Sequence, residues 1–339
     1  MHLRHRPATA SDLKACVPFM TVHSRYGSLL ERLPEVWRGL MQRESLISAV
    51  VEDGDRPEGD RLLGFGVSVF LTDEFVRHAK TPPLFWVGRE LICRIIQNDS
   101  PILDLAAIRR ANSREGLNCF TWEVGVLAAA EAEFFAAGIE LTKAFIELHS
   151  GFKVKEVIGQ HPQGRIFRAA VQVGGWLLRD PDGQYAPLRD PVAEEPAGPF
   201  ILGLTRELAH VHPGSWLSSI FNYRPPRLSP TRAEQRLLNA ALSGQTDEEV
   251  AEVLGVSVSA VKKCWQSVYA RASFRLPELL LDGCGPLSGG VRGAEKKRRL
   301  LLYLRSHPEE LRPLLPSSAP AGTRRKEIHR RDRVSPCIS

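Results

Sequence analysis

The chain has 339 residues, with 45 Lys and Arg against 39 Asp and Glu, and 43% of its residues are hydrophobic. That length predicts about two domains, and the composition is typical of a globular protein. No apolar run is long enough to span a bilayer, and the N-terminus carries charges where a signal peptide needs an apolar core. We therefore expect a cytoplasmic protein without a membrane partner.

The basic excess is confined to the last third of the chain. Residues 228–339 hold 19 Lys and Arg against 12 Asp and Glu, a net charge of +7, whereas residues 1–227 have a net charge of −1. A polyanionic partner explains this asymmetry, while solvation alone needs no single sign of charge. The cysteines have no paired spacing, which predicts a reducing compartment and no metal site; they are Cys16, Cys93, Cys119, Cys264, Cys284 and Cys337.

The first 71 residues predict a strand, two helices and two strands. A capped helix follows the opening strand, residues 29–41 have helical periodicity, and residues 46–51 and 61–71 are rich in branched and aromatic residues. The opening RPATASDL and the hairpin ending LLGFGVSVF resemble the Gcn5-related acetyltransferases, or GNAT enzymes. The resemblance implies a mixed α/β sheet covered by helices.

The middle of the chain continues that resemblance but lacks one motif. Residues 117–126 predict a strand and residues 128–148 a long helix, and HSGFKVKEVIG then predicts a helix end and another strand. GNAT enzymes hold the pyrophosphate of coenzyme A in a glycine-rich turn after the fourth strand. Here the turn reads LAAAEAEFF, and Glu131 and Glu133 would repel phosphate. The expectation is therefore a scaffold that is not an enzyme and takes no cofactor, with Glu123 a structural residue at an edge or hairpin, not a general base.

Residues 228–273 predict three helices. Ser229-Pro230 is typical of a helix start, and Thr246 with Glu249 forms a capping box for a second helix. Gly255 then allows a tight turn, and Ser257 caps a third helix whose apolar face includes Trp265. Two short helices joined by such a turn indicate a helix-turn-helix.

This stretch resembles the DNA-binding domain of LuxR-type regulators. The resembling pieces are LSPTRAEQRLL, SGQTDEEVAEVLGVS and SAVKK, although Ala260 and Trp265 depart from the family pattern. The resemblance implies that the third helix enters the major groove of double-stranded DNA. The residues predicted to meet DNA are Ser259, Lys262, Lys263 and Gln266, because they lie on the face opposite the apolar one.

The predicted architecture is a GNAT-like α/β domain at residues 1–178 and an all-α C-terminal domain. The proline-rich stretch predicts a linker with short helices at 179–227, then the helix-turn-helix at 228–275, C-terminal helices at 276–312 and a disordered basic tail at 313–339. The predicted function is a bacterial transcriptional regulator that binds double-stranded DNA as a homodimer, with an α/β domain for sensing or oligomerisation. Two alternatives stay open: an N-acetyltransferase with an attached DNA-binding domain, and a scaffold whose helical domain binds protein.

Overall fold

The computed structural model describes residues 1–20, 25–127, 130–161, 164–211, 215–280 and 293–315. Its first part is built on one mixed sheet in the order β1-β2-β3-β4-β5-β8-β6-β7. The strands are β1 (Leu3–Pro7), β2 (Ile47–Asp53), β3 (Leu62–Leu71), β4 (Leu117–Val126), β5 (Val154–Gly159), β6 (Leu177–Arg179), β7 (Tyr185–Ala186) and β8 (Leu202–Thr205). Neighbouring strands are antiparallel except β4 and β5, which are parallel. The predicted α/β class is confirmed for this part of the chain.

Eight α-helices accompany the described part of the sheet, and five follow it. The first group is α1 (Ala10–Ala15), α2 (Leu33–Gln42), α3 (Asp73–Ala79), α4 (Val87–Ile96), α5 (Leu105–Ser113), α6 (Glu131–His149), α7 (Arg165–Ala169) and α8 (Arg206–Val211). The second group is α9 (Arg232–Leu242), α10 (Asp247–Leu254), α11 (Val258–Arg275), α12 (Pro277–Leu280) and α13 (Gly293–Ser306). No helix among the described residues is both long and apolar enough to cross a membrane.

The two faces of the sheet bury different cores. Trp37 of α2 packs edge-on against Trp122 of β4, with ring centroids 6.0 Å apart, inside a cluster that also holds α4. On the opposite face α6 lies against β1, β2 and β3, where Leu141 packs on Val51 and Leu63. Burial on both faces explains why β3 and β4 read as nearly continuous apolar runs.

The predicted linker over residues 179–227 is wrong in its central part. Residues 202–205 form β8, which pairs with β5 from Glu156↔Thr205 to Gly159↔Leu202 and continues the sheet towards β6. Leu202 and Leu204 are completely buried. Backbone pairing with a strand distant in sequence decides this structure, and the local pattern of prolines does not reveal it.

Helices α9, α10 and α11 surround a separate apolar core. Thr231, Thr246 and Ser257 cap their N-termini, and Gly255 ends α10 in the left-handed region at φ +65°. Trp265 is only 5% exposed and lies with Val261 and Val268 in this core, as the helix periodicity predicts. Its indole Nε1 donates to Asp247 at the start of α10, 3.2 Å away.

The segment after α13 returns to the first part of the chain. Glu310, 1% exposed, accepts hydrogen bonds of 2.8 Å from the backbone N–H groups of Arg227 and Leu228. Two residues later Arg312 donates to the carbonyl of Ser150 at 2.8 Å and lies over the ring of Phe152. The predicted basic tail lies outside the described residues from 316 onward.

Candidate functional site

The parallel strands β4 and β5 separate halfway along β4. Their pairing runs from Leu117↔Val154 to Thr121↔Gly159 and then stops, although β4 continues to Val126. Just past the last pair, a β-bulge interrupts the ladder between β4 and β3, because Val67 pairs with Glu123 and Ser68 with Thr121. Trp122 is the extra residue of this bulge. The result is an opening in the sheet beside residues 122–126.

The bulge also determines where the side chains of β4 point. Thr121 and Val124 line the α6 side of the sheet. Trp122 lies in the core on the α2 side, and Glu123 accepts from Tyr26 on that same side. Regular alternation would place Trp122 and Glu123 on opposite faces. The extra residue therefore turns Glu123 away from α6.

A cavity of about 120 Å³ lies between α6 and the opened sheet. Strands β2, β3 and β4 form one wall and α6 a second. The third wall contains His161, Ile166, Ala169, Ala170, Gly174 and Trp176. The lining among the described residues contains no Asp, Glu, Lys or Arg. A concave, largely apolar pocket with few polar groups is the usual form of a small-molecule site.

Two buried polar atoms in this pocket have no hydrogen-bond partner within the described part of the chain. They are Oγ1 of Thr121 and Nε2 of His161, and both residues are 4% exposed. Burial, and then the positive charge of Arg25, lower the pKa of His161 to about 3, so its imidazole is neutral at pH 7. Unpaired buried polar atoms are costly, so a ligand with a polar atom would stabilise this end of the pocket.

His149 provides a contrast in the same pocket. Its Nδ1 donates to the carbonyl of Phe145 at 2.7 Å, and its Nε2 lies 2.8 Å from the hydroxyl of Ser68. Burial lowers the pKa of His149 to about 4. Both ring nitrogens are already satisfied, so His149 is part of the wall and His161 is the histidine open to a ligand.

Glu123 belongs to a buried ion pair on the other side of the opening. One Arg25 nitrogen, Nη2, donates to both carboxylate oxygens at 2.6 and 2.7 Å, and Tyr26 donates its hydroxyl to one of them. The second nitrogen, Nη1, donates to the backbone carbonyl of Gln160 at 2.7 Å. Arg25 thus connects β4 to the residue that follows β5. Glu123 lies in the centre of the sheet, so the expectation of an edge or hairpin glutamate is wrong.

The GNAT resemblance implies acyl-coenzyme A, and one end of the opening fits that group. The edge of β4 beyond Thr121 is not paired with β5, so its backbone is available to an amide-bearing arm, and the pocket offers Thr121 and His161 to a carbonyl. Glu131 and Glu133 lie in the first turn of α6, as expected, where the resemblance would place the diphosphate of coenzyme A. Arg56 pairs with Glu133 there, and the Arg165 guanidinium lies 4.1 Å from the ring centroid of Phe134, so cations offset this acidity.

The comparisons with known proteins concern the region that contains the sheet. Neither models of protein families nor curated proteins give a match. Among solved structures, AAC(6')-Ib in complex with Parmomycin and AcetylCoA is 12% identical, covers 62% of this chain and 97% of its own, and has a TM-score of 0.33. A polyamine N-acetyltransferase from Drosophila melanogaster is 13% identical, with 60% and 99% covered and a TM-score of 0.30. An uncharacterized protein from Bacillus halodurans is 11% identical, with 66% and 92% covered and a TM-score of 0.30.

These neighbours contradict the prediction that the chain is not an enzyme, because one is a polyamine N-acetyltransferase and another binds AcetylCoA. Their likeness is one of GNAT-like fold and assigns neither reaction nor substrate. The prediction depended on a single missing motif, the glycine-rich turn. The glycine-rich turn would bind only the diphosphate of coenzyme A. The opening beside β4 and the pocket do not depend on that turn.

The residues predicted to meet DNA lie together on one surface of α11. Ser259, Lys262, Lys263 and Gln266 are all exposed, while Trp265 and Val268 face the core. Lys297 of α13 pairs with Asp247 at 2.9 Å, and its ammonium lies 4.9 Å from the ring centroid of Trp265. One of the basic residues of α13 therefore holds α13 on this group of helices.

Sequence reasoning missed the main parts of the opening. Thr121, His161 and Arg25 were not singled out, and Arg25 is 98 residues from its partner Glu123. A glutamate inside an apolar strand signals that a cation must lie nearby, but it does not say which one.

Proposed function

We propose that this chain is an N-acyltransferase with an attached DNA-binding domain. The observation that carries the catalytic part is the opening beside β4, which leads into a pocket where Thr121 Oγ1 and His161 Nε2 lack partners. Bound acyl-coenzyme A would supply an activated acyl group there as a thioester. The chain's own contribution is to exclude water with α6 and to hold a carbonyl oxygen with Thr121 and His161.

The test of the catalytic part uses the full chain and acetyl-coenzyme A. We expect saturable binding in calorimetry, in the micromolar range that corresponds to about −8 kcal/mol. Release of the coenzyme A thiol in the presence of amine acceptors, including polyamines, should depend on the enzyme. Thr121→Val should weaken binding, because a valine offers no hydrogen bond to the carbonyl. The absence of binding at millimolar ligand would overturn this part of the proposal.

The DNA-binding part of the proposal is supported by the exposed polar face of α11 and by the basic excess of residues 228–339. Lys262 and Lys263 are neighbours and point about 100° apart around the helix axis. One can therefore reach a base edge while the other reaches a phosphate. Gln266 lies one turn after Lys262 and extends the same surface.

Selection of genomic fragments with the full-length protein, followed by affinity measurements at several salt concentrations, tests this part. Alanine at a lysine that contacts phosphate should weaken all sequences alike and reduce the salt slope by about one unit. Alanine at a residue that contacts a base should cost roughly 1–3 kcal/mol and relax preference at one position. Lys14→Ala, which removes an exposed lysine of α1, is the matched control. If the triple alanine variant of Lys262, Lys263 and Gln266 keeps full affinity, a protein-binding role replaces the DNA-binding one.

A homodimer on DNA is part of the same proposal, since one helix-turn-helix reads only a few base pairs and paired half-sites are the usual arrangement. Sedimentation of the complex should give two chains per duplex. A single chain per duplex would contradict the dimer and leave DNA binding intact.

A further inference from the structure

We propose that the pocket under α6 selects an acyl group of about four to six carbons over acetyl. This inference rests on the proposed acyltransferase function and names the substrate class of the same site. The observations behind it are the length, the volume and the uncharged lining of the pocket, together with the glycines that leave it open.

The pocket follows α6 for most of that helix. Its lining includes Phe134 in the first turn and Leu148 near the last, which are 14 residues and therefore about 21 Å apart along the axis. Gly66 and Val124 of the sheet face this stretch from the other side. The lining is therefore elongated, and an acetyl group would contact only one end of it, while the volume limits the length of the chain that fits.

Two glycines keep the pocket from being filled. A Cβ atom built on Gly138 of α6 would meet nothing within 4 Å, and one on Gly66 of β3 would meet only Leu141, at 4.0 Å. Gly64, on the same strand, differs, because its Cβ would lie 3.0 Å from Leu141 and 3.1 Å from the carbonyl of Gly125. The interface between α6 and the sheet is therefore tight at Gly64 and open at Gly66 and Gly138.

The volume sets the size of the occupant. An apolar cavity of about 150 Å³ holds a benzene molecule, with six carbons. By proportion the present volume of about 120 Å³ holds about five. The lining described above offers no charge to pair with an ionised tail, and the two unpartnered polar atoms, Thr121 Oγ1 and His161 Nε2, suit one carbonyl. A neutral acyl chain with its carbonyl at Thr121 and His161 meets both conditions.

The experiment compares acetyl-, butyryl-, hexanoyl- and dodecanoyl-coenzyme A by calorimetry on the full chain. Burial of a methylene contributes about 0.8 kcal/mol, which is roughly fourfold in affinity. The four methylenes that distinguish hexanoyl from acetyl should therefore tighten binding on the order of a hundredfold. The dodecanoyl ester should gain nothing further, because its chain exceeds the volume.

Substitution of Gly138 places side-chain atoms inside the pocket. Gly138→Leu should abolish the preference for hexanoyl over acetyl, and Gly138→Ala should reduce that preference partially. Gly39→Leu on α2 is the matched control, because a Cβ there also meets nothing within 4 Å and Gly39, which is half-buried, lies outside the pocket. Unchanged melting temperatures of the variants exclude misfolding as the cause.

The outcomes separate this inference from the proposed function. Equal affinity for acetyl and hexanoyl esters, or a preference that survives Gly138→Leu, would overturn the chain-length inference. Binding of acetyl-coenzyme A in the same experiment would still support the proposed acyltransferase. No binding of any acyl-coenzyme A would overturn both.

Discussion

The buried pair of Arg25 and Glu123 gives a sharp prediction for stability. The Arg25 side chain is 9% exposed and that of Glu123 is not exposed at all. In the variant Arg25→Met, the carboxylate loses two hydrogen bonds and its counter-charge in a buried site. Breaking a buried pair in this way typically costs 3–5 kcal/mol, far more than the pair is worth against a neutral replacement.

The assay is urea unfolding at pH 7, with the double variant Arg25→Met/Glu123→Gln as reference. With a slope of roughly 2–3 kcal/mol per molar urea, the single variant should lower the midpoint by about 1–2 M. The double variant should lie within about 2 kcal/mol of the natural protein, because its glutamine needs no counter-charge and still accepts from Tyr26. A single variant no less stable than the double one would refute the buried pair.

The pH dependence of this variant has a definite sign. Burial raises the pKa of the Glu123 carboxyl despite the opposing effect of Arg25, and loss of Arg25 should raise it further. The folded state then binds a proton more tightly than the unfolded state, so the destabilisation is full above the folded-state pKa and is lost as pH falls towards the unfolded value of about 4.3. The gap between the single and double variants should therefore shrink on acidification.

Three further predictions concern other parts of the molecule. Trp265→Ala should cost roughly 3–5 kcal/mol in the helices α9 to α11, measured by thermal melting, whereas Trp265→Phe should retain part of that stability. Glu310→Gln should cost about 2 kcal/mol, because a carboxylate that accepts from backbone N–H groups becomes neutral. Glu295→Gln should cost much less, because Glu295 pairs only with Arg298 and Arg299 on the surface of its own helix. Through His149, stability should fall by roughly 3 kcal/mol between pH 6.5 and 4, because its depressed pKa of about 4 means that the unfolded state takes up the proton first. His149→Asn should make that part of the urea-midpoint profile shallower, and the slope due to His161, whose pKa is about 3, should remain.

Local sequence patterns predicted those helices and strands that are determined by residues close together in the chain. Strand β4 has the predicted bounds, and α10 and α11 begin directly after the predicted caps Thr246 and Ser257, because side-chain caps act within three residues. The predicted helix start at Ser229-Pro230 is wrong: Thr231 caps α9, which begins at Arg232, and Ser229 has a positive φ of 48°. The apolar run over residues 167–178 suggests one strand by its pattern, but these residues complete α7, continue as a π-helix over Ala170–Gly174 and end in β6. Short apolar runs do not distinguish a buried helix from a strand.

Local sequence patterns do not predict the site, because the residues that form it come from distant positions in the chain. The bulge at Trp122 is a property of two strands together, and it decides which way Glu123 points. The pocket exists because α6 stands away from the sheet at Gly66 and Gly138, and neither glycine shows this in the sequence. Motif reasoning tested only the diphosphate turn and therefore gave the wrong expectation about enzymatic activity.

The return of residues 309–315 to the first part of the chain changes where the protein can be cut. Pro313 accepts from the side chain of Asn112 at 2.9 Å, and the backbone N–H of Leu315 donates to Ser113. A fragment that ends before residue 228 would lose these partners and uncover Phe152, although it would contain the entire sheet. A fragment that ends after α13 would keep every predicted DNA contact but lose Glu310 from beneath the entry to α9. The order of the elements along the chain suggests that the sheet region and the helical region could be separated. Residues 309–315 contact both regions, however, so a cut before residue 228 or after α13 removes contacts that stabilise the remaining fragment.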